Sequence, residues 1–229
     1  MQLAQKIIIA DDHPLFRTAM QQAVKQLLPD VLIEQAESLP ELQHLIELHK
    51  DADLVLLDLQ MPGAHGYSGL VYMRSHYPEI PVIVVSACED PAIMCQAIDH
   101  EAAGYIAKSS SLDEISRAIG LVLQGDIYLP EKARRHQHHP NPLAMDLAVR
   151  LATLTPQQFR VLTMMADGML NKQIAYDLEV SEATIKAHVT AIFRKLGVRT
   201  RTQAVIAVQS LDIEKPEGRI AASSSHVDA

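Results

Sequence analysis

The sequence predicts an α/β fold, a doubly wound five-stranded parallel sheet over the first 125 residues, followed by a small all-α domain of four helices. Three observations carry that expectation. Short aliphatic runs alternate with helical periodicity five times in residues 1–125, and βα units with short connections make a parallel sheet covered on both faces. From 153 to 211 the apolar spacing is helical throughout. The charge also changes sign: residues 1–125 hold 17 Asp and Glu against 7 Lys and Arg, net −10, whereas residues 146–210 hold 5 against 8, net +3. An acidic half suits a cation and a mildly basic half suits a polyanion.

Strands are predicted at 5–10, 31–36, 53–58, 81–86 and 104–107. Runs such as Ile7-Ile8-Ile9 and Val82-Ile83-Val84-Val85 are continuously apolar, as strands buried on both faces are. Helices are predicted near 14–28, 39–49, 66–77, 90–100 and 111–124. Pro14, Pro40 and Pro91 sit near helix starts, where a missing N–H does no harm. Ser111 is the expected N-cap of the last of these helices and Gly125 its end. Residues 126–151 read as a linker, with Pro130, Pro140, Pro142 and the polar run Arg134-Arg135-His136-Gln137-His138-His139. Those histidines are read as solvated rather than as metal ligands. Four short helices then follow within 152–211. Thr155-Pro156-Gln157-Gln158 starts the first with a capping box, Ser181 caps the third, and Thr200 with Gln203 repeats the box for the fourth. The tail, 212–229, is expected to be disordered.

At 229 residues with 48% hydrophobic content, the chain can bury one large or two small cores. No apolar stretch approaches the roughly 20 residues that span a bilayer, and the N-terminus lacks the regions of a signal peptide. Cys88 and Cys95 are the only cysteines, too few for a disulfide framework. A soluble, cytoplasmic protein with no membrane partner is expected.

Five polar groups follow the strands: Asp11 and Asp12 after the first, Asp58 after the third, Ser86 at the end of the fourth and Lys108 after the fifth. Ligands of doubly wound sheets bind beyond those ends. Three converging carboxylates repel one another unless a cation lies between them, and oxygen ligands suit Mg²⁺. Asp11 and Asp12 would point to opposite faces inside a strand, so both reach one crevice only at its exit. Asp58 leaves the middle of the sheet and is the expected nucleophile, since a carboxylate attacking phosphorus gives an acyl phosphate. Lys108 would neutralise phosphoryl oxygens and Ser86 would donate a hydrogen bond to one. Each residue alone is an ordinary loop residue or surface charge. Five at the ends of four strands are not.

The stretches Ala10-Asp11-Asp12-His13-Pro14, Leu57-Asp58-Leu59-Gln60-Met61-Pro62-Gly63, Ser86-Ala87 and Gly104-Tyr105-Ile106-Ala107-Lys108-Ser109 closely resemble the flavodoxin-like receiver domains of two-component response regulators, over about residues 5–125. The resemblance implies Mg²⁺-dependent phosphorylation of Asp58 by a cognate histidine kinase or by small phosphodonors. It implies a metal set of Asp11, Asp12, Asp58 and the Gln60 carbonyl, and a phosphoryl-binding set that includes Ser86, Ala87 and Lys108. Ser86 and Tyr105 would form a switch, Ser86 turning towards the phosphoryl group and Tyr105 moving inward. Gln60 and Cys88 are expected to flank the approach of a hydrolytic water, with core packing the alternative for Cys88.

In the helical half, the segment near 182–196 places Ile185, Val189, Ile192, Phe193 and Leu196 on one face and Ala183, Ala187, Thr190 and Arg194 on the other, with Lys186 and His188 on the flanks. Small residues edged by cations let a helix approach the major groove. With the helix at 171–178 just before it, this predicts a helix-turn-helix. Leu154-Thr155-Pro156, Asn171-Lys172-Gln173-Ile174-Ala175, the run Val180–Val189 and Arg194-Lys195-Leu196-Gly197-Val198 resemble the LuxR-type DNA-binding domain over about 152–211. The whole chain is thus similar to the NarL/FixJ class of response regulators. That resemblance adds Lys172 and Thr184 to the DNA-facing set. It implies double-stranded promoter DNA as partner, a homodimer when phosphorylated, contact with RNA polymerase, and release of a recognition helix held near the acidic receiver. Two departures stand out. Gln158 replaces the usual Glu and should still close its capping box; Leu170 replaces the usual Ser or Thr N-cap, and Asn171 is expected to take over by shifting the helix start. The rival readings are a regulator that works without phosphorylation and a phosphatase with an aspartyl nucleophile.

Overall fold

The structure, a computed structural model, describes residues 4–138 and 142–211. Strands β1 (Lys6–Ala10), β2 (Leu32–Ala36), β3 (Leu54–Asp58), β4 (Val82–Ser86) and β5 (Gly104–Ala107) form one parallel sheet in the order β2-β1-β3-β4-β5. Helices α1 (Pro14–Leu27), α2 (Leu39–Leu48), α3 (Ser68–His76), α4 (Pro91–Asp99) and α5 (Leu112–Leu123) connect them. Alternation along the strands divides the core. Ile8, Val55, Leu57, Val82 and Val84 pack with Leu39, Leu42 and Leu70, while Ile7, Ile9, Leu54, Leu56, Ile83 and Val85 pack with Met20, Val24, Ile115 and Ile119. β3 and β4 are buried along their whole length, and each Leu, Ile or Val buried there contributes about 1.5–3 kcal/mol. The direction of the strand order reverses between β1 and β3, which opens a crevice over their ends.

The helix starts follow the sequence. Ser111 accepts from the Glu114 N–H, and Gly125 takes a left-handed φ of 93° just past α5. The linker corrects the expectation of a plain solvated segment. It holds α6 (Glu131–Arg134) and α7 (Pro142–Ala152). Tyr128 hydrogen-bonds through its backbone to Ala103 and Tyr105, Ala133 is buried, and the His138 Nε2 lies 2.5 Å from Asp99 Oδ2. A few anchors among prolines and charges are too sparse to produce a periodic signal. His139 and the tail from Asp212 lie outside the described residues.

Helices α8 (Pro156–Ala166), α9 (Asn171–Asp177), α10 (Glu182–Leu196) and α11 (Arg201–Gln209) form the second unit around Phe159, Leu162, Ile174, Ile185, Ile192 and Val208. The capping boxes Thr155/Gln158 and Thr200/Gln203 are both closed, and Ser181 accepts from the Thr184 N–H. At α9 the helix start has not shifted. Leu170 occupies the N-cap and offers no side-chain acceptor; only the return bond forms, from the Leu170 N–H to Gln173 Oε1 at 2.7 Å. Asn171 Oδ1 faces Arg201 instead, so it does not replace the cap.

The two units meet through α3. The Tyr72 and Phe159 rings lie 5.1 Å apart, the Tyr67 N–H donates to the Leu211 carbonyl at 3.1 Å, and His65 Nε2 is 3.2 Å from Asp167 Oδ1. The His76 ring sits between two carbonyls, Nδ1 3.0 Å from Tyr72 O and Nε2 2.8 Å from Leu154 O.

Candidate functional site

Asp11, Asp58, Ser86 and Lys108 converge over the crevice because their strands end at one level: Ala10 pairs with Leu57, Asp58 with Val85, and Ser86 with Ala107. Asp11, Asp58 and Ser86 are buried. The Lys108 ammonium lies 2.7 Å from Asp11 Oδ2 and 2.8 Å from Asp58 Oδ2. Asp58 Oδ1 accepts the Gln60 N–H at 3.0 Å and Asp11 Oδ1 accepts the His13 N–H at 2.8 Å. Burial pushes the Asp58 carboxyl above the usual carboxylate range, although Lys108 and the Gln60 N–H pull it down. Burial also pulls Lys108 down, but the two carboxylates beside it, Asp58 and Asp11, outweigh that and leave it raised. Lys108 therefore stays cationic.

One ligand atom each from Asp11, Asp12, His13 and Asp58 lies within 4.8 Å of the others. Asp11 Oδ2 and Asp12 Oδ1 are buried oxygens with no well-directed hydrogen-bond donor. Lys108 and His13 stand at ion-pair distance from them but off the hydrogen-bonding direction. Buried carboxylate oxygens with spare acceptor capacity fit a divalent cation with oxygen ligands. His13 belongs to this group and was missed by the sequence reasoning.

The pocket opens as a cleft of roughly 480 Å³, lined by His13, Leu15, Phe16, Ala19, Asp58, Gln60, Ala87 and Lys108. Gln60 is on it, as expected. Cys88 is not: it packs against the core, which favours its packing role. The apolar wall from α1 was not foreseen. Its only sequence signal is that residues 15, 16 and 19 fall on the first turns of the helix leaving β1. Ser86 and Tyr105 are fully buried, and the Tyr105 hydroxyl donates to the Cys88 carbonyl at 2.7 Å. The Tyr105 ring is thus held inside the fold by the Cys88 carbonyl, a contact that no motif in the chain announces.

On α10, Ala183, Thr184, Lys186, Ala187, Thr190 and Arg194 are exposed, His188 is half-buried, and Lys172 on α9 is exposed. Lys186 pairs with Glu182 at 2.9 Å, and the Thr190 hydroxyl donates to the Lys186 carbonyl. Receiver helix α3 packs on α7 and α8, and the residues named on α10 are left exposed or half-buried. The expectation that the receiver lies against the recognition helix is therefore corrected: the apolar contact surface of the second unit is on α7 and α8, and that is where α3 docks.

Comparison with known proteins agrees with this architecture. Residues 7–120 match the response regulator receiver domain and residues 152–208 the LuxR family of bacterial regulatory proteins. The chain belongs to the two-component response regulators that join a receiver to a LuxR-type DNA-binding domain. It is 42% identical over 215 residues to the glycerol metabolism activator of Pseudomonas putida, covering 90% of this chain and 96% of that protein. It is 29% identical over 209 residues to the nitrate/nitrite response regulator NarL of Escherichia coli K12, covering 88% and 94%. Among solved structures it is similar to RcsB from Salmonella enterica serovar Typhimurium bound to a promoter in the presence of phosphomimetic BeF3⁻. There the TM-score is 0.54 at 25% identity, covering 91% of this chain and 99% of that one. By this membership the chain is a regulatory protein.

Proposed function

We propose that the chain is a phosphorylation-switched transcription factor whose phosphoacceptor is Asp58. The observation that carries this reading is the pair of buried carboxylates, Asp11 and Asp58, bridged by one ammonium at the floor of an open cleft. A carboxylate oxygen of Asp58 bonds to phosphorus as the P–N bond of a kinase phosphohistidine breaks. The electron pair leaves with the histidine nitrogen, which takes a proton from solvent. Mg²⁺ held by Asp11, Asp12, Asp58 and the Gln60 carbonyl would screen the nucleophile from the incoming negative charge. Lys108 neutralises phosphoryl oxygens, while Ser86 and the Ala87 backbone N–H hydrogen-bond to others.

Tyr105 is buried with its hydroxyl on the Cys88 carbonyl, and phosphorylation would act by biasing a pre-existing equilibrium of Ser86 and Tyr105. The active form dimerises and binds double-stranded promoter DNA through Lys172, Thr184, Lys186, Ala187, His188, Thr190 and Arg194, and it works with RNA polymerase. The promoter-bound relative supports the promoter-binding part of the reading. We assign 1–125 to the receiver, 126–151 to the connecting segment, 152–211 to DNA binding and 212–229 to a tail. Among the described residues no helix is long and apolar enough to cross a membrane, in keeping with the cytoplasmic site of action that we propose.

Intact-mass measurement after treatment with acetyl phosphate and Mg²⁺ tests the reading. One added phosphoryl group is expected on the wild type and none on Asp58→Asn or in excess chelator. Equal labelling of Asp58→Asn would overturn it. Promoter regulation unchanged in Asp58→Ala would favour a phosphorylation-independent regulator.

A further inference from the structure

The Lys108 ammonium has a third neighbour besides its two carboxylates: the face of the Phe16 ring, 4.9 Å from the ring centroid. Phe16 and Lys108 line the same cleft as Asp58. We propose that Phe16 is a positioning residue for phosphoryl transfer, its ring holding the Lys108 ammonium over the cleft through a cation–π contact. This rests on the reading of Asp58 as phosphoacceptor.

The argument follows the charge. Before transfer the ammonium is shared by Asp11 Oδ2 and Asp58 Oδ2 at nearly equal distances. When an Asp58 oxygen bonds to phosphorus and the donor's P–N or P–O bond breaks, the leaving group takes the electron pair. The Asp58 carboxylate becomes a neutral acyl group, and its charge is replaced by that of the phosphoryl oxygens, farther out in the cleft. Asp11 still holds a full charge beside the ammonium and draws it back from the cleft. The Phe16 ring, which lines the cleft, attracts the same cation. A ring face sets no directional requirement on individual N–H bonds, so the ammonium can turn towards new oxygens without losing it. The Lys108 side chain is 15% exposed, and cation–π contacts gain strength as the cation is desolvated.

The ring is held where this requires. Pro14 opens α1, and the Phe16 N–H donates to the His13 carbonyl at 3.0 Å, which sets the first turn over the end of β1. The neighbouring Arg17 fixes that turn, donating to the Asp11 carbonyl at 2.7 Å and to Gln35, and pairing with Glu37. Phe16 also packs against the core formed with α5. Packing alone would place an aliphatic residue here equally well; the ring face towards a lysine would not be needed.

Fluorination separates the two roles, because it weakens the ring's negative face in steps while barely changing its shape. The full-length chain carrying Phe, monofluoro-, difluoro- or trifluoro-Phe at position 16 would be labelled with acetyl phosphate at fixed Mg²⁺, and the initial rate read by intact mass. A stepwise decline totalling about five- to thirty-fold is expected, with Phe16→Leu at the low end and Phe16→Tyr near wild type. Thermal melts of the fluorinated series should stay level. A flat rate across the series, with Asp58 still labelled, overturns the role of Phe16 and leaves it a packing residue. A wild type that takes no label, or takes it equally in Asp58→Asn, overturns the phosphoacceptor reading itself.

Discussion

Asp58 carries a charge that the fold disfavours. Burial raises its pKa against the pull of Lys108 and the Gln60 N–H, so folding disfavours the ionised form relative to the unfolded chain. The ionised form therefore costs stability that grows as pH rises through the raised pKa and is absent below the ordinary carboxylate range. Asp58→Asn should be more stable than the wild type at neutral pH, with the difference closing on acidification, measured by urea unfolding from pH 4 to 8. Mg²⁺ at a hundred times its Kd should add about 2.7 kcal/mol to the wild type and much less to Asp11→Ala. On α10, Lys186 is paired, among the described residues, with Glu182 alone, in an exposed contact worth about 0.3–0.5 kcal/mol, so DNA can take the ammonium over. Lys186→Ala separates two roles in a salt titration on specific and random duplexes. A phosphate contact predicts equal weakening on both and a salt slope smaller by about one. A base contact predicts a loss of roughly 1–3 kcal/mol on the specific site alone.

Among the elements, α9 begins least well. Its N-cap residue is Leu170, 66% exposed, with no acceptor for the first N–H groups of the helix. Leu170→Ser restores that acceptor while giving up little buried area, and should stabilise the protein by about 1 kcal/mol, read as a rise in the melting temperature. A helix start that stays put despite a poor cap shows that packing sets it: Ile174 and Ala175 are buried, and moving the first turn would rotate them out of the core. The turn into α10 carries a similar cost, because Glu179 adopts a left-handed φ of 54° that favours glycine. Both costs lie on the approach to the recognition helix, whose groove face they leave untouched.

At the scale of the molecule, α3 couples the receiver to the second unit. Both ring nitrogens of His76 face carbonyl oxygens, Tyr72 on its own helix and Leu154 across the contact. His76→Ala should weaken the docking by about 1 kcal/mol, seen as faster protease cleavage between residues 126 and 141 and a larger radius of gyration. Because the face of α10 is already exposed, the same variant should bind a single half-site as the wild type does. A large gain in half-site affinity would mean that the receiver hinders α10 after all.

The acidic pocket was legible in the sequence because the sheet's geometry does the assembly: residues at the carboxyl ends of neighbouring parallel strands must meet, so Asp11, Asp58, Ser86 and Lys108 could be grouped from their positions alone. The helix starts at Ser111, Thr155, Ser181 and Thr200 were legible for a similar reason, since capping is a matter of three or four adjacent residues. What the sequence could not decide depends on contacts between distant segments with no fixed spacing. The docking of α3 on α7 and α8, the two helices inside the presumed linker, the Tyr105 hydroxyl on the Cys88 carbonyl and the Phe16 ring over Lys108 are of that kind. Each is selected by the fit of surfaces that exist only once both partners are folded, and such a fit leaves no period, cap or motif in the chain.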